Sequence, residues 1–352
     1  MDIRDVEVIA PNFKRRLSGV TSTIVQLLPL QAREIGIATM GPDVLPACVP
    51  RLGFAALPGL WRRPARHRRR LWHARRNTEM LAGVVLRDLL RMPLRLVFTS
   101  AAQRHHTAWT RFLLRRMDAV IATSGLSAVF LDRPATIILH GIDLDRFGPD
   151  GPQLAEPLAS AFDGRRIVGC SGRIRHQKGT DLFVDAMIAL LPSRPDWIAV
   201  ITGRTLAEHA GYEAGLRARI DAAGLSDRIL FLGEVDDVAP WFRRFDLYVA
   251  PPRNEGFGLT PLEAMASATP VVASDTGAFA EQIVEGVTGR VVPIDDAAAL
   301  AAAIAPDLDD DELRLRAGEA ALAHVREAFP LAREAREIGA VYRSLWALDD
   351  SA

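Results

Sequence analysis

The sequence predicts an α/β protein built as two Rossmann-like, doubly wound domains with parallel sheets. Three observations predict it. The 352 residues are too many for one ordinary core and about right for two. Short apolar runs alternate with helix-like stretches from end to end, the pattern of parallel strands joined by crossover helices. A Pro/Gly-containing segment, 148–164, interrupts the alternation, and the pattern then restarts.

In the first set, residues 5–10, 36–40, 94–99, 118–123 and 136–140 read as buried strands, and 20–33, 68–90 and 107–116 as helices. In the second, 166–171, 197–202, 229–232, 247–250, 270–273 and 289–292 read as strands, and 180–191, 207–223 and 261–268 as helices. The tail, 310–348, is helical by composition and has no strand of its own. The expected domains are therefore 1–150 and 165–328, facing one another across a cleft, with 329–352 packing back over their junction.

Composition is globular, with 49% hydrophobic and 24% charged residues. No uncharged apolar run reaches the roughly 18 residues of a spanning helix, so none is expected. Asp2, Arg4, Asp5 and Glu7 open the chain where a secretory signal would place a basic start and an apolar run, so no signal is expected. Cys48 and Cys170, in different predicted domains, read as reduced thiols of a cytosolic protein.

The zero net charge conceals a split. Residues 1–150 hold 23 Lys and Arg against 12 Asp and Glu, a balance of +11, and the rest holds 20 against 31, a balance of −11. A basic half implies an anionic partner. The densest run is 61–76, with eight arginines and two tryptophans in sixteen residues. Arginine with tryptophan suits a membrane interface. Nucleic acid is the rival, but no nucleic-acid-binding motif is present, which favours an anionic membrane or glycolipid. Lys14, Arg15 and Arg16 in the first loop are expected to serve the same anionic partner, with plain solvated charge as the alternative.

In open parallel sheets ligands bind beyond the carboxyl ends of strands. The first such loop is Ser171 to Gly179, SGRIRHQKG, where Arg173 and Lys178 offer cations to a diphosphate beside a glycine backbone. It is neither a P-loop nor a dinucleotide fingerprint, and a solvated basic turn stays open as the alternative. The second is Pro251 to Met265, PPRNEGFGLTPLEAM. Thr260 and Pro261 form a helix start. Gly256 and Gly258 bare backbone amides beside it, where the dipole favours anions. Glu255 precedes the helix and Glu263 lies inside it, placed for different parts of one ligand, whose hydroxyls would satisfy buried carboxylates.

The pairing of Gly-Arg-x4-Lys-Gly with Glu-x7-Glu resembles glycosyltransferase family four, retaining enzymes of the two-domain GT-B fold. The resemblance covers nearly the whole chain and is sharpest over 169–292. Thr202-Gly203, Phe231 to Val235 and Pro270 to Ser274 are further pieces. It implies that Arg173 and Lys178 hold the donor diphosphate and that Glu255 binds the transferred sugar, helped by amides of Gly256, Phe257, Gly258 and Leu259. It also implies that Glu263 binds the ribose, and that Gly203 and the turn at Gly233, Glu234 and Val235 lie near the nucleotide. Cations fixed at the leaving diphosphate lower the barrier as charge builds there. Retention in the family is explained by same-face attack, with a donor phosphate oxygen taking the acceptor proton.

Two places depart from the family. The usual Gly-Gly of the first loop is Ser18-Gly19 here, and Gly19 can still start a helix near a phosphate. The strand end where family members often carry a His reads Phe98 to Ala102, with His105 and His106 further along, so either the His is replaced or one of these two takes its place. Asp143-Leu144-Asp145 has the form of a metal-binding Asp-x-Asp but reads as an interdomain turn, so no metal and no cofactor beyond the nucleotide-sugar substrate are expected.

Residues 11–23, the arginine run and 99–107 are similar to bacterial lipopolysaccharide core mannosyltransferases. That similarity implies GDP-mannose as donor and a Kdo-containing inner-core glycolipid as acceptor, with the enzyme peripheral to the inner face of the cytoplasmic membrane. The alternatives are a UDP-sugar transferase of the same fold, and a non-catalytic basic protein binding membrane or nucleic acid.

Overall fold

The computed structural model describes residues 2–14, 19–43 and 45–350. Arg15, Arg16 and Ser18 of the basic first loop lie outside the described residues. The chain forms two compact units, residues 1–141 with 331–352, and residues 142–330.

The first unit holds a seven-stranded sheet of β1 (Val8–Pro11), β2 (Ile37–Met40), β3 (Arg51–Leu52), β4 (Arg70–Ala74), β5 (Leu94–Ser100), β6 (Ala119–Ala122) and β7 (Thr136–Ile137). Their order is β3-β2-β1-β4-β5-β6-β7, and every pairing is parallel. The direction of winding reverses between β1 and β4.

β4 corrects the expected helix over 68–90. Arg70 opens a five-residue strand whose members are all buried, and the helix starts only at Asn77 (Asn77–Val84). The sequence misleads because β4 carries arginine and histidine inside the fold. Arg70 Nε donates to the Val6 carbonyl at 2.6 Å and Nη2 to that of Ile3 at 2.7 Å, while Nη1 reaches Leu60 and Arg62. Burial lowers its pKa to about 10, which still leaves the guanidinium charged. Trp72, next but one along the strand, is buried and donates from its indole to the Glu79 carbonyl. His73 is enclosed between the Tyr342 hydroxyl and Thr99 Oγ1, and burial holds its pKa low. Arg70 and Arg76, two of the eight arginines of that basic run, are thus internal or paired, since Arg76 also bridges Glu79 and Asn12.

The helical tail divides between the units. Asp311–Ala328 belongs to the second and Leu331–Asp350 to the first. In the first, Ile338, Tyr342, Leu345 and Trp346 pack with Ile24, Leu27 and Leu28 over Val8 and Val97.

The second unit has a six-stranded sheet of β8 (Arg166–Ser171), β9 (Trp197–Thr202), β10 (Ile229–Gly233), β11 (Leu247–Ala250), β12 (Val271–Ser274) and β13 (Gly289–Val292). The order β10-β9-β8-β11-β12-β13 is parallel throughout. Strands buried on both faces explain their continuous apolar runs. The helices Thr180–Leu190 and Ala297–Asp309 bury Phe183, Met187, Leu300 and Ile304 against one face. Winding reverses between β8 and β11, which is where such sheets open a crevice at their carboxyl edge.

Arg70→Ala strands two or more buried carbonyls and is expected to cost about 2–4 kcal/mol in urea unfolding. Arg63→Ala, in the same run but exposed, should stay within about 0.5 kcal/mol. Equal effects would show that Arg70 is not an internal brace.

Candidate functional site

The loops leaving β8 and β11 meet at this switch point. Gly179 takes φ +67°, and a Cβ there would sit 1.8 Å from the Pro251 carbonyl oxygen, so the two backbones touch where only glycine fits. Arg253 fastens the contact. Its amide donates to the Gln177 carbonyl at 2.9 Å, and its Nη1 donates to the His176 carbonyl at 2.6 Å. The guanidinium fork also grips both oxygens of Asp181 at 2.8 Å, in the first turn of Thr180–Leu190. Tyr212 donates to the same carboxylate. The Arg253 hydrogen bond to Asp181 raises the pKa of Arg253, and the Arg253 and Tyr212 hydrogen bonds outweigh desolvation to lower that of Asp181. The ion pair persists through the neutral range.

Between the loops lies a pocket whose lining includes Ser171, Gly172, Lys178, Tyr248, Glu255 and Thr260. Lys178 Nζ donates to Glu255 Oε2, so the two charges neutralise one another and ease the desolvation of both. The other carboxylate oxygen accepts from the Gly256 amide at 3.1 Å. Tyr248 closes the floor, its hydroxyl donating to the Ser171 carbonyl at 3.3 Å. Cys170 also lines the pocket, but burial pushes its thiol up to about 12 against the pull of Lys178, so it is a neutral wall and no nucleophile.

Of the residues expected to act together, Lys178 and Glu255 do share this pocket. Gly203 joins them through the backbone: Gly172 N–H donates to the Thr202 carbonyl at 2.9 Å, and a Cβ on Gly203 would lie 1.9 Å from the Gly172 oxygen. Arg173 stands on the same loop between two pocket residues, Gly172 and Ile174, with its own side chain exposed and not among the lining. Gly256, Gly258 and Leu259 form the turn into Thr260–Ala266, with Leu259 at the cap position and no side chain capping it. The helix therefore starts one residue earlier than expected. Gly258 takes φ +81°, and a Cβ there would also strike the Phe279 ring at 2.2 Å. The Phe257 ring is buried, so Phe257 offers only backbone. Glu234 is exposed, 3.9 Å from Arg204, and Val235 is half-buried beside it, both just beyond β10.

Glu263 sits inside the helix, outside that pocket lining, half-buried. Desolvation pushes its carboxyl up to about 7, with Arg146 pulling it down and Asp237 pushing it up. Gly19 opens Gly19–Gln31 in the first unit. There His105 packs edge-on against Phe130 at 5.3 Å, and burial lowers the pKa of His106. Asp143 Oδ1 accepts from the Asp145 and Arg146 amides, a helix cap. No group of three metal-ligating side chains occurs among the described residues.

Sequence reasoning missed Arg253, Asp181 and Tyr248. The only signal was position: Arg253 lies within the second loop and Asp181 in the first turn after Gly179, but their pairing joins residues 72 apart.

A carboxyl whose folded-state pKa lies above its ordinary value of 4.5 favours the fold fully below that value, and the contribution is lost as pH rises through about 7. Glu263→Gln is therefore expected to raise the melting temperature at about pH 8 and leave it unchanged near pH 4.5. Equal shifts at both would remove desolvation as the cause.

The "Glycosyl transferases group 1" family matches residues 157–324, the whole of the second sheet and its loops. The chain is 63% identical over 347 residues, 98% of each chain, to the lipopolysaccharide core biosynthesis mannosyltransferase LpcC of Rhizobium leguminosarum bv. viciae. It is 55% identical over 350 residues, covering 98% of this chain and 99% of that one, to LpsB of Rhizobium meliloti (strain 1021), described in the same words. Among solved structures, Anabaena HepE in complex with UDP shares the fold at TM-score 0.82 and 18% identity, over 96% of this chain and 100% of that one. With its two Rossmann-like parallel sheets and a cation–carboxylate pocket at the switch point of the second, the chain belongs to the group 1 glycosyltransferases of GT-B fold.

Proposed function

We propose that this glycosyltransferase is a retaining mannosyltransferase of lipopolysaccharide core synthesis, moving mannose from GDP-mannose onto a Kdo-containing inner-core glycolipid. The observation that carries the reading is the pairing of Lys178 with Glu255 in one pocket. It combines with near full-length identity to proteins described as core mannosyltransferases. The second unit binds the donor and the first the acceptor. The basic balance of the first unit suits an acceptor bearing carboxylate and phosphate, and the enzyme works at the cytoplasmic face of the membrane, held there peripherally by charge.

In the reaction an acceptor hydroxyl oxygen bonds to the anomeric carbon of mannose as the bond from that carbon to the diphosphate breaks. The electron pair leaves with GDP, and the hydroxyl proton passes to a donor phosphate oxygen on the same face, so configuration is kept. Lys178 turns from Glu255 to the diphosphate and, with Arg173, stabilises the charge that builds there. Glu255, released, accepts from sugar hydroxyls. Backbone amides at Gly256, Gly258 and Leu259 face the sugar, and Glu263 accepts from the ribose hydroxyls. No step needs a metal.

Lys178→Ala is expected to lower kcat by about 10²–10³ with labelled GDP-mannose and a deacylated acceptor. Unchanged turnover would overturn the diphosphate role. Isothermal titration should show GDP binding more tightly than UDP; the reverse order would assign the donor to the UDP-sugars.

A further inference from the structure

The first unit carries an exposed face that its own core does not use. The helix Asn77–Val84 runs into a π-helical turn, Val85–Leu89, and along them Leu81, Val85 and Leu89 recur every fourth residue, all exposed, Leu89 by 72%. A solvent-facing stripe at that spacing is ordinarily polar. Beside it lies Ala108–Arg115, joined by Asn77 Nδ2 donating to Thr110 Oγ1 at 2.8 Å and by the Arg116–Asp88 pair at 3.2 Å. Its outer side presents Trp109 and Phe112, 50% and 44% exposed, with rings stacked at 5.6 Å. Trp61, also exposed, is tied to the end of the stripe by its indole N–H donating to the Leu90 carbonyl at 2.8 Å.

This apolar face has a basic border. A pocket of ≈ 650 Å³ at the amino ends of β4 and β5 is lined by Arg63, Arg68, Arg69, Arg87 and Arg91. Its two acids are already engaged, Asp88 by Arg87 and Arg116, and Asp349 by Arg69 and Arg95. Arg63, Arg68 and Arg91 are exposed and have no carboxylate partner among the described residues. The pocket lies at the edge of the sheet opposite the carboxyl ends of the strands, so it is not an extension of the edge where Gly19 opens its helix.

The combination selects the partner. Nucleic acid supplies phosphates but no apolar phase for Leu89, Trp109 and Phe112. A water-soluble anion fills the pocket and leaves the stripe bare. An anionic bilayer supplies both, headgroup phosphates for guanidinium groups and an acyl boundary for tryptophan and aliphatic side chains. No helix among the described residues is long and apolar enough to cross a membrane.

We propose that this face is the membrane-docking surface. Trp61, Leu89, Trp109 and Phe112 enter the headgroup–acyl boundary, and Arg63, Arg68 and Arg91 hold the phosphates of anionic lipid. The proposal rests on the glycolipid-acceptor reading for its purpose, but docking itself requires no nucleotide sugar.

The test is co-sedimentation of the full chain with phosphatidylcholine vesicles, with and without phosphatidylglycerol. Binding is expected only with phosphatidylglycerol. It should fall at least about tenfold in the triple variant Leu89→Ser, Trp109→Ser, Phe112→Ser, and likewise in Arg63→Glu, Arg68→Glu, Arg91→Glu. The two variants alter exposed side chains independently, so misfolding of one leaves the other decisive. Lipids brominated in the acyl chain should quench tryptophan emission in the parent, and Trp61→Phe with Trp109→Phe should abolish that quenching. Equal binding to neutral vesicles, retention by both triple variants, full release by inorganic phosphate, or preference for an RNA oligonucleotide at the same salt would each overturn it. Transfer to a deacylated, soluble acceptor should be unchanged in both triple variants. Loss of that transfer in the parent would instead sink the mannosyltransferase reading, with the vesicle result still standing.

Discussion

The candidate site depends on one contact, the closure of the loop after β8 onto the loop after β11. Gly179 lies against the Pro251 carbonyl with no room for a side chain, and the Arg253 fork holds His176 and Asp181 across the seam. A planar guanidinium that meets a carboxylate with two bonds fixes orientation as well as distance. That is why Lys178 and Glu255, 77 residues apart, meet in one pocket. A lysine in place of Arg253 would keep the charge and lose the geometry.

The same economy runs through the first unit, where charges are sorted by depth. Arg70 is inside, held by carbonyls alone, and Glu79 is inside, held by Arg76 and the Arg75 amide. His140 is locked to Glu334 at 2.7 Å, which also receives the Gly141 amide at 2.9 Å. Buried polar groups persist only with partners. The arginines left over at the amino ends of β4 and β5 are those whose charge faces outward, and they border the exposed apolar stripe. Buried or paired arginines and exposed ones thus come from one stretch of sequence, Arg70 and Arg76 among the first and Arg63 and Arg68 among the second.

These two arrangements divide the work. The second unit places the Lys178–Glu255 pair and the Arg253–Asp181 clamp at the carboxyl edge of the sheet, in the loops after β8 and β11. Glu263 stands apart from that pocket lining in a poorly solvated position, and its raised pKa follows from desolvation first and the neighbouring charges second. In the first unit Leu81, Val85, Leu89, Trp109 and Phe112 lie exposed on two adjoining helical segments.

The sequence alone determined the fold class, eleven of the strands to within a few residues at most ends, and the two loops that carry the candidate site. These are local properties: apolar runs of strand length, glycines where the backbone must turn, and a proline at a helix start. It misassigned β4, missed the short β3, and read Arg70 with the exposed arginines, because a buried arginine is indistinguishable from a solvated one until its carbonyl partners are placed. Only the tertiary structure decided that Arg253 clamps the two loops, that Lys178 reaches Glu255 while Arg173 stays exposed, and which arginines face outward. Each of those outcomes is a distance between residues far apart in the chain, set by the pairing of β8 with β11 and of β1 with β4. Spacing along a sequence carries no such distance until the strands are in register.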